Sequence, residues 1–588
     1  MPPRPCLLAL VAACVPGALH AQQAKWKLPP GGVAIYDADE ALEPDPPGGI
    51  LPGCPLPYAT ILLQSELAAG GTWVEAEPAD WRWIGPHLAF DLRLPASGKV
   101  ATKLARVPGL GDLDLQGSAS TDAATGVQTY ELRFTVREPA LDSDEKQLRG
   151  RDGRPWYGGD GGGSVRLQRH VDAAAGVVES FTAVLELNVT TGPYHGNGPL
   201  QGTFTQHWDL DAVHERRARD FQARIDAAIV NGADVIERAL RPDRPEFATH
   251  HSETEHTCGE GVLALAIQTL LAAERSVESP ALQRAFAELH RREIRETYSL
   301  AVALLATDQA FAPPLEREHL LRGVIDRPTP RTLPPEHAAK VAEWSARLLQ
   351  NRDRSVDAAY RSRWWYVGGN GFDNSNTQYA QFGLFAAGLC RQEIGRGVWI
   401  AAAEHWLSVQ HPAQGSPRSV RLVSLADMDA AATPRTTAGR SVRPRGFGYT
   451  VPGDGPAYGS MTCAGIAGMS LCRGALAAGG RSPLDGKLDE AIREGFAWLS
   501  ANRSVRWNPG PPPLRNTYYF YWLYSLERAC ELSRTGRIDD WDWYAEGAEV
   551  LLALQDVHGH FAQATLEQHC FAVLFLKKAQ LPVLTGPR

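Results

Sequence analysis

Hydrophobic and polar residues alternate along the first third of the chain. The segment 130–138, YELRFTVRE, places three apolar side chains on one face and mostly charged side chains on the other. Residues 87–94 and several later segments repeat this period of two. Short alternating segments separated by Gly, Asp and Pro clusters are typical of antiparallel strands. The pattern predicts a β-rich, β-sandwich-like domain over residues 57–211, and the glycine-rich stretch 156–164 is predicted to be a flexible turn within it.

The period becomes helical after residue 211. Twelve segments can be grouped into six pairs, in which the first helix is amphipathic and the second is apolar on nearly all sides. A helix that is apolar on all sides is buried on all sides, and repeated pairs must stack to bury their faces. The pattern therefore predicts an outer circle of helices around an inner, buried circle. The predicted helices span residues 213–240, 260–275, 281–292, 296–307, 336–351, 376–391, 397–410, 459–476, 487–502, 517–533, 542–555 and 568–579.

Composition limits the possible partners. The chain has 588 residues, 44% of them hydrophobic, which is enough for two domains with sizeable cores. Its net charge of −8 provides no basic excess, so nucleic acid is not expected as a partner. No segment beyond the N-terminus is long and apolar enough to span a bilayer.

The N-terminus has the order of a bacterial export signal. An arginine precedes a short apolar run, and a small residue follows at Ala21, where we expect cleavage. The protein is therefore expected to be periplasmic or extracellular. The segment VAAC also resembles a lipoprotein cleavage box, so a lipid anchor at Cys14 is the alternative. Residues 22–56 are predicted to be a Pro/Gly-rich linker or an irregular lead-in, and residues 581–588 a short tail.

The segment 546–561, EGAEVLLALQDVHGHF, carries a family resemblance. Gln, three residues, Gly and one residue lead to an aromatic side chain, as in the repeats of squalene cyclases and protein prenyltransferase β-subunits. Residues 406–416 and 495–504 are similar to degenerate copies. The resemblance implies an (α/α)6 toroid of the terpenoid cyclase type over residues 212–580. In the enzymes of this family the hollow centre holds an isoprenoid.

The catalytic motifs of the family are incomplete in this sequence. The nearest match to the cyclase Asp-x-Asp-Asp run, DMDA at 427–430, lacks the final acid. Met461 stands where a prenyltransferase has the zinc-binding Asp, two residues before Cys463. The segment HTCGEG resembles the reactive segment of thioester proteins, but Gly261 replaces the required Gln. We therefore expect a non-catalytic binding or scaffolding module. The alternative is an enzyme that uses the toroid cavity, either an isoprenoid cyclase or transferase or a carbohydrate-active hydrolase or lyase.

A closed toroid predicts one composite site. Its first and last inner helices would be neighbours, so His256, Cys258 and Glu260 are predicted to meet His569 and Cys570 at one rim. Three interpretations remain open for the two cysteines. They form a disulfide, they bind zinc together with His256 and His569, or they are buried free thiols.

The starts of the other inner helices are predicted to line the cavity mouth. The loop 362–376, rich in Trp, Gly and Asn, is expected to shape it, with Asp373 among the available acids. Helix capping and core packing are the structural alternatives for these residues. The aromatic run 518–522 can hold an apolar polyene or stack on a glycan. The candidate lining residues are Asn374, Asn376, Tyr379, Tyr458, Cys463, Asn516, Tyr518 and Tyr519.

Overall fold

The structure is a computed structural model, and it divides the chain into two compact units. One contains Glu66–Trp208 and the other contains Asp209–Arg588, and each also includes short N-terminal stretches. The predicted export signal, Cys14 and the C-terminal tail lie outside the described residues. The structure describes residues 32–43, 59–63, 67–68, 72–73, 84–90, 94–107, 111–139, 157–172, 177–191, 200–215, 221–241, 244, 247, 249–251, 256–353, 362–413, 415–428, 439–477, 480, 482–510, 518–556, 558–561 and 564–578.

The first unit contains an antiparallel sheet of six strands, each paired with the next along the chain. Alternate side chains of its strands are buried, as the period of two predicts. Two strand pairs, β1 with β2 and β3 with β4, precede it. Along the chain, the elements before the helical region are β1 (Gly32–Glu43), β2 (Ala59–Leu63), β3 (Leu67–Ala68), β4 (Thr72–Trp73), α1 (Ile84–Phe90), β5 (Gly98–Val107), β6 (Gly111–Thr121), β7 (Gln128–Pro139), β8 (Tyr157–Asp172), β9 (Val177–Thr191) and β10 (Leu200–Glu215). Most of β1 and all of β2 belong to the second unit.

Helix α1 replaces a predicted strand. Residues 87–94 alternate like a strand, yet the structure has a helix over Ile84–Phe90 that packs on β8 and β9. The buried Arg169 of β8 fixes it, because its guanidinium donates 2.8 Å to the carbonyl of Ala89, at the end of the helix. The same guanidinium donates 2.7 Å to the Tyr130 hydroxyl. Among the described residues α1, rather than a second large sheet, covers this part of the six-stranded sheet.

The glycine-rich stretch 156–164 is a strand and not a flexible turn. Gly163 of β8 lies opposite Phe134 of β7. A Cβ atom on Gly163 would come within 2.3 Å of the Glu186 carbonyl oxygen and 2.7 Å of the Phe134 ring. The glycines are therefore required by close packing across the sheet, a role that the sequence pattern does not reveal.

The second unit contains all twelve predicted helices in six pairs. Their ends agree with the predictions to within three residues, except that the first helix begins at Phe221 because β10 continues to Glu215. The pairs are α2 (Phe221–Ala239) and α3 (Gly259–Ala272), α4 (Pro280–Arg291) and α5 (Thr297–Ala310), α7 (Pro335–Gln350) and α8 (Asn374–Leu389), α9 (Arg396–Val409) and α11 (Gly459–Ala477), α12 (Asp485–Ala501) and α13 (Tyr519–Leu532), and α14 (Trp543–Leu554) and α15 (Leu566–Lys577).

Short elements connect these pairs. They are β11 (Thr249–His251), β12 (His256–Cys258), α6 (Glu316–Leu321), β13 (Arg418–Val420), β14 (Leu422–Ser424), α10 (Leu425–Met428), β15 (Arg440–Val442) and β16 (Thr535–Ile538). None of the described helices combines the length and apolar character needed to cross a bilayer.

The second helices of the six pairs contact one another in a closed circuit. Helix α3 packs against α5, α5 against α8, α8 against α11, α11 against α13, α13 against α15, and α15 against α3. Nearly all residues of these helices are buried. Lys577 at the end of α15 binds Glu274 just beyond the end of α3 at 2.6 Å, so these two helices run in the same direction.

The Gln-Gly-aromatic motif joins the last pair of helices to the first. The Gln555 side chain donates 2.9 Å to the Ala228 carbonyl of α2. Gly559 has a φ of 86° and lies against Asn231 of α2, where a Cβ atom would meet the Asn231 carbonyl oxygen at 2.5 Å. Phe561 is buried. Gly559 is therefore a left-handed residue just past the end of α14, and the motif attaches α14 to α2 at the point where the circuit closes.

Helix α6 covers the C-terminal ends of the buried helices. Arg317 of α6 pairs with the fully buried Glu531 of α13 at 2.7 Å, although α6 directly follows α5 in sequence. The buried Arg331 donates 2.6 Å to Asp308 at the end of α5 and 2.9 Å to Glu316 of α6. These ion pairs hold α6 across one end of the helix circuit.

We predict that Arg331→Met lowers the free energy of unfolding by about 3–5 kcal/mol at pH 8, because it leaves two buried carboxylates without their cation. The loss should be smaller at pH 5, where Asp308 takes up a proton, since burial raises the pKa of Asp308 to about 6. Urea unfolding followed by tryptophan fluorescence measures both values.

The matched control is Arg295→Met. Arg295 pairs with Glu293 at 2.8 Å, but both side chains are about half exposed, so the loss should stay under about 1 kcal/mol. Equal losses for the two variants would contradict the assigned role of Arg331.

Candidate functional site

Three loops join the N-terminal ends of the buried helices at the end opposite α6. The amide of Thr297 at the start of α5 donates 2.6 Å to the Tyr366 carbonyl, in the loop before α8. The amide of Asn374 at the start of α8 donates 2.8 Å to the Tyr449 carbonyl, in the loop before α11. Gly459 at the start of α11 likewise donates to the loop before α13. Each loop satisfies a free amide of the preceding buried helix and presents its own side chains at this end.

These loops and helix starts bring four tyrosines together, which we call the tyrosine face: Tyr366, Tyr449, Tyr458 and Tyr518. The hydroxyls of Tyr366 and Tyr449 lie 3.0 Å apart. Burial is the main cause of the raised pKa values of Tyr366 and Tyr458, and the charge of Tyr518 raises both slightly further. Tyr518 is 69% exposed and Tyr449 is 37% exposed, while the other two are partly buried. The face therefore offers both aromatic rings and hydroxyl groups.

Asp373 is fully buried beneath the tyrosine face. One carboxylate oxygen accepts 2.6 Å from the Asn376 amide and caps α8, and the other accepts 2.8 Å from the Asn376 side chain. The Tyr449 hydroxyl also hydrogen bonds to this carboxylate. Burial raises the pKa of Asp373 to about 6, although these hydrogen bonds oppose the shift. Burial and the Asp373 charge raise the pKa of Tyr449 well above its usual range.

Aromatic side chains fill the space between the buried helices below this face. The Tyr521 hydroxyl accepts a hydrogen bond from the Gln378 side chain and forms another with the Ser375 hydroxyl at 3.4 Å. Its ring stacks on Tyr379 with 6.4 Å between centroids. Tyr379 also packs on Tyr298 at 4.5 Å. On the other side, Phe571 lies 5.7 Å from Tyr521 and 4.9 Å from Tyr524.

Arg528 of α13 lies within this aromatic stack. Its guanidinium carbon is 4.5 Å from the centroid of Phe382 and 4.4 Å from that of Tyr524, whose hydroxyl it also contacts. Burial lowers the pKa of Arg528 to about 10, so the guanidinium keeps its charge at neutral pH. Ring faces stabilise such a cation, and the arrangement places a positive charge in the interior of the helical unit.

The two cysteines of the predicted rim site lie apart. Both are free thiols. Cys258 hydrogen bonds to Glu296 and Ser299 at the start of α5. Cys570 hydrogen bonds to Thr269, eleven positions further along α3, which corresponds to a separation of about 16 Å along the helix axis. This separation is too large for a disulfide or a shared zinc ion.

The offset arises because α15 begins further toward the C-terminal end of the circuit than α3 does. The turn around Gly559 rests on α2, so Cys570 enters beside the second half of α3. Burial raises the pKa of Cys570 to about 12 and the pKa of Cys258 further still. The structure thus supports the third interpretation for Cys570, which is a buried free thiol, whereas Cys258 is a free thiol that is only partly buried.

The remaining rim residues have separate surroundings. His569 accepts a long hydrogen bond of 3.4 Å from the Phe561 amide, and burial lowers its pKa to about 4. Glu260 is buried near Cys258 at the start of α3. The backbone of His256 pairs with His251 in a short hairpin. In the part of the chain that the structure describes, no group of three or more His, Cys, Asp or Glu residues could hold a metal ion.

The candidate cavity residues divide into two groups. Tyr458 and Tyr518 belong to the tyrosine face, and Tyr379 belongs to the stack below it. The others have structural roles: the Asn374 side chain donates to the carbonyls of Gly448 and Thr450, Asn376 binds Asp373, and Tyr519 donates 2.7 Å to the Val505 carbonyl. Cys463 is fully buried in α11. Asn516 lies outside the described residues.

The sequence did not reveal Tyr449, Tyr298 or Arg528. Tyr449 lies in a loop with no periodic pattern, and it joins the site only because that loop reaches back to the start of α8. Arg528 lies on a mostly apolar helix, where an arginine usually marks an exposed face. The Trp/Gly/Asn-rich loop that the sequence singled out does contribute Tyr366 and Asp373.

Comparison of the chain with protein-family models, with curated proteins and with solved structures finds no match in any of the three. The resemblance to the squalene cyclase repeat therefore remains a prediction from the motif. The function must be argued from the geometry of the site.

We predict that Asp373→Asn changes how stability depends on pH while keeping the helix cap, since Asn also caps helices well. Because the pKa of Asp373 rises on folding from 3.8 to about 6, its contribution is complete below pH 3.8 and is lost as pH rises through about 6. Relative to wild type, the variant should gain up to about 3 kcal/mol between pH 4 and pH 7.

Urea unfolding of the wild type and of Asp373→Asn at unit steps of pH measures this difference. A difference between the two proteins that stays constant across this range would show that Asp373 ionises normally in the folded state.

Proposed function

We propose that the helical unit is an (α/α)6 toroid of squalene cyclase-like repeats in an exported protein, and that it is a non-catalytic binding module with its ligand site at the tyrosine face. The closed circuit of six buried helices and the Gln555 contact with α2 support the toroid. The order of residues 1–21 supports export.

The main support for a binding function is the packing of aromatic side chains around Arg528 in the interior of the helical unit. An isoprenoid enzyme needs an open apolar cavity, but here Tyr379, Phe382, Tyr524 and Phe571 pack with Arg528 between the helices. A carbocation about 6 Å from this guanidinium would be destabilised by about 3 kcal/mol at an effective dielectric constant of about 20. Cyclisation chemistry is disfavoured on both grounds.

Glycan cleavage is also disfavoured by the groups at the tyrosine face. Hydrolysis requires two carboxylates across the sugar ring, whereas Asp373 is buried and hydrogen bonded, which leaves Asp454 as the one exposed carboxylate of residues 362–373 and 446–458. A lyase needs a Tyr or His base with a pKa near neutrality. The pKa of Tyr449 is raised instead, and burial lowers that of the nearby His405 to about 3.

The expected result of an activity screen is no product. Purified protein would be incubated with squalene, farnesyl diphosphate and neutral and acidic polysaccharides, and products followed by mass spectrometry. Asp373→Asn and Arg528→Met serve as comparison variants. Product formed by the wild type and lost in either variant would overturn the binding function in favour of catalysis.

A further inference from the structure

We propose that the tyrosine face binds a neutral glycan chain, with sugar rings stacked on Tyr449 and Tyr518. This inference rests on the proposed binding function and names the class of ligand. It follows from three properties of the face: exposed aromatic and apolar groups, hydroxyls held in place from below, and the lack of an unpaired cation beside them.

The first property is the concentration of exposed apolar side chains. Seven large hydrophobic side chains are exposed among the described residues of the whole chain, and four of them belong to the loops and helix start of this face. These four are Val367, Tyr449, Val451 and Tyr518. Tyr518 also adopts a left-handed backbone with φ of 59°, which is unfavourable for a tyrosine and presents its ring to solvent.

The second property is the fixed position of the hydroxyl groups. The Tyr449 hydroxyl is anchored by Asp373 below and by the Tyr366 hydroxyl at 3.0 Å beside it. A pyranose ring has apolar C–H faces and hydroxyl edges, so it can stack on the rings while its edges bond to these oxygens. A polyene would displace the water that hydrogen bonds to these hydroxyls and would offer no hydrogen bond in return. Each lost hydrogen bond would cost about 1–3 kcal/mol.

The third property is the lack of an unpaired cation next to the tyrosines. Arg363 is the one cation of residues 362–373 and 446–458, the loop segments that carry the face, and it pairs with Asp353 at 2.7 Å. The exposed Asp454 accepts a hydrogen bond from Thr450 at 2.9 Å. A sulfated, phosphorylated or uronic acid chain would find no unpaired cation in these two segments, and it would meet the carboxylates of Asp454 and Asp373. An uncharged chain avoids both penalties.

Isothermal titration calorimetry with cellohexaose, xylohexaose and maltohexaose tests the inference at pH 7. At least one neutral oligosaccharide should bind the wild type, and Tyr518→Ala should weaken that binding about tenfold, the value of one lost stacking contact. Tyr449→Phe keeps the ring but loses the hydroxyl, and it should also weaken binding.

Leu315→Ala is the matched control and should leave binding unchanged. Leu315 is 65% exposed, has the same φ of 59° and precedes a helix, but that helix is α6 at the other end of the circuit. Thermal melting checks that all variants are folded.

The outcomes separate the two proposals. Absence of binding to every neutral oligosaccharide, or binding that Tyr518→Ala leaves intact, would overturn the glycan inference and leave the binding function standing. Binding of farnesol or of a charged oligosaccharide in preference to the neutral chains would overturn it as well. Cleavage of a bound oligosaccharide would retain the glycan and overturn the binding function.

Discussion

The contact between the last and first buried helices is the constraint on which the helical unit depends. Each of these helices is apolar on nearly all sides, so each needs neighbours on both flanks to be removed from water. Helices α3 and α15 have neighbours on both flanks only because they pack on each other. Gln555 and Gly559 hold this closure from the outside by attaching the last pair to α2.

The buried helices run in the same direction, so their N-terminal ends lie at one end of the circuit and their C-terminal ends at the other. The two ends therefore have different properties. At the C-terminal end, α6 crosses over the helices and is held by the buried ion pairs of Arg317 and Arg331. At the N-terminal end, the loops satisfy the free helix amides and carry tyrosines outward. Ion pairs therefore hold one end together, and the other end presents aromatic and hydroxyl groups over the buried carboxylate of Asp373.

The aromatic interior is the reason for proposing a binding function although the repeat motif resembles that of a family of enzymes. Fold follows from the repeated burial of apolar helix faces, whereas activity requires particular groups in an open space. Here Arg528 and the rings around it occupy that position. The surface site at the tyrosine face depends on this filled interior, because Tyr521 joins the stack to Ser375 and Gln378 directly below the loops.

The sequence alone determined the β-rich character of the first unit, the twelve helices and their pairing, because these follow from local periodicity. It did not determine the helix at Ile84–Phe90, the strand through the glycine-rich stretch, the distance between Cys258 and Cys570 or the roles of Tyr449 and Arg528. Each of these depends on contacts between residues far apart in sequence: Arg169 with α1, Phe134 with Gly163, and the offset of α15 against α3. Only the tertiary structure fixed these contacts, because periodicity shows which face of an element is buried but not which side chain meets it there.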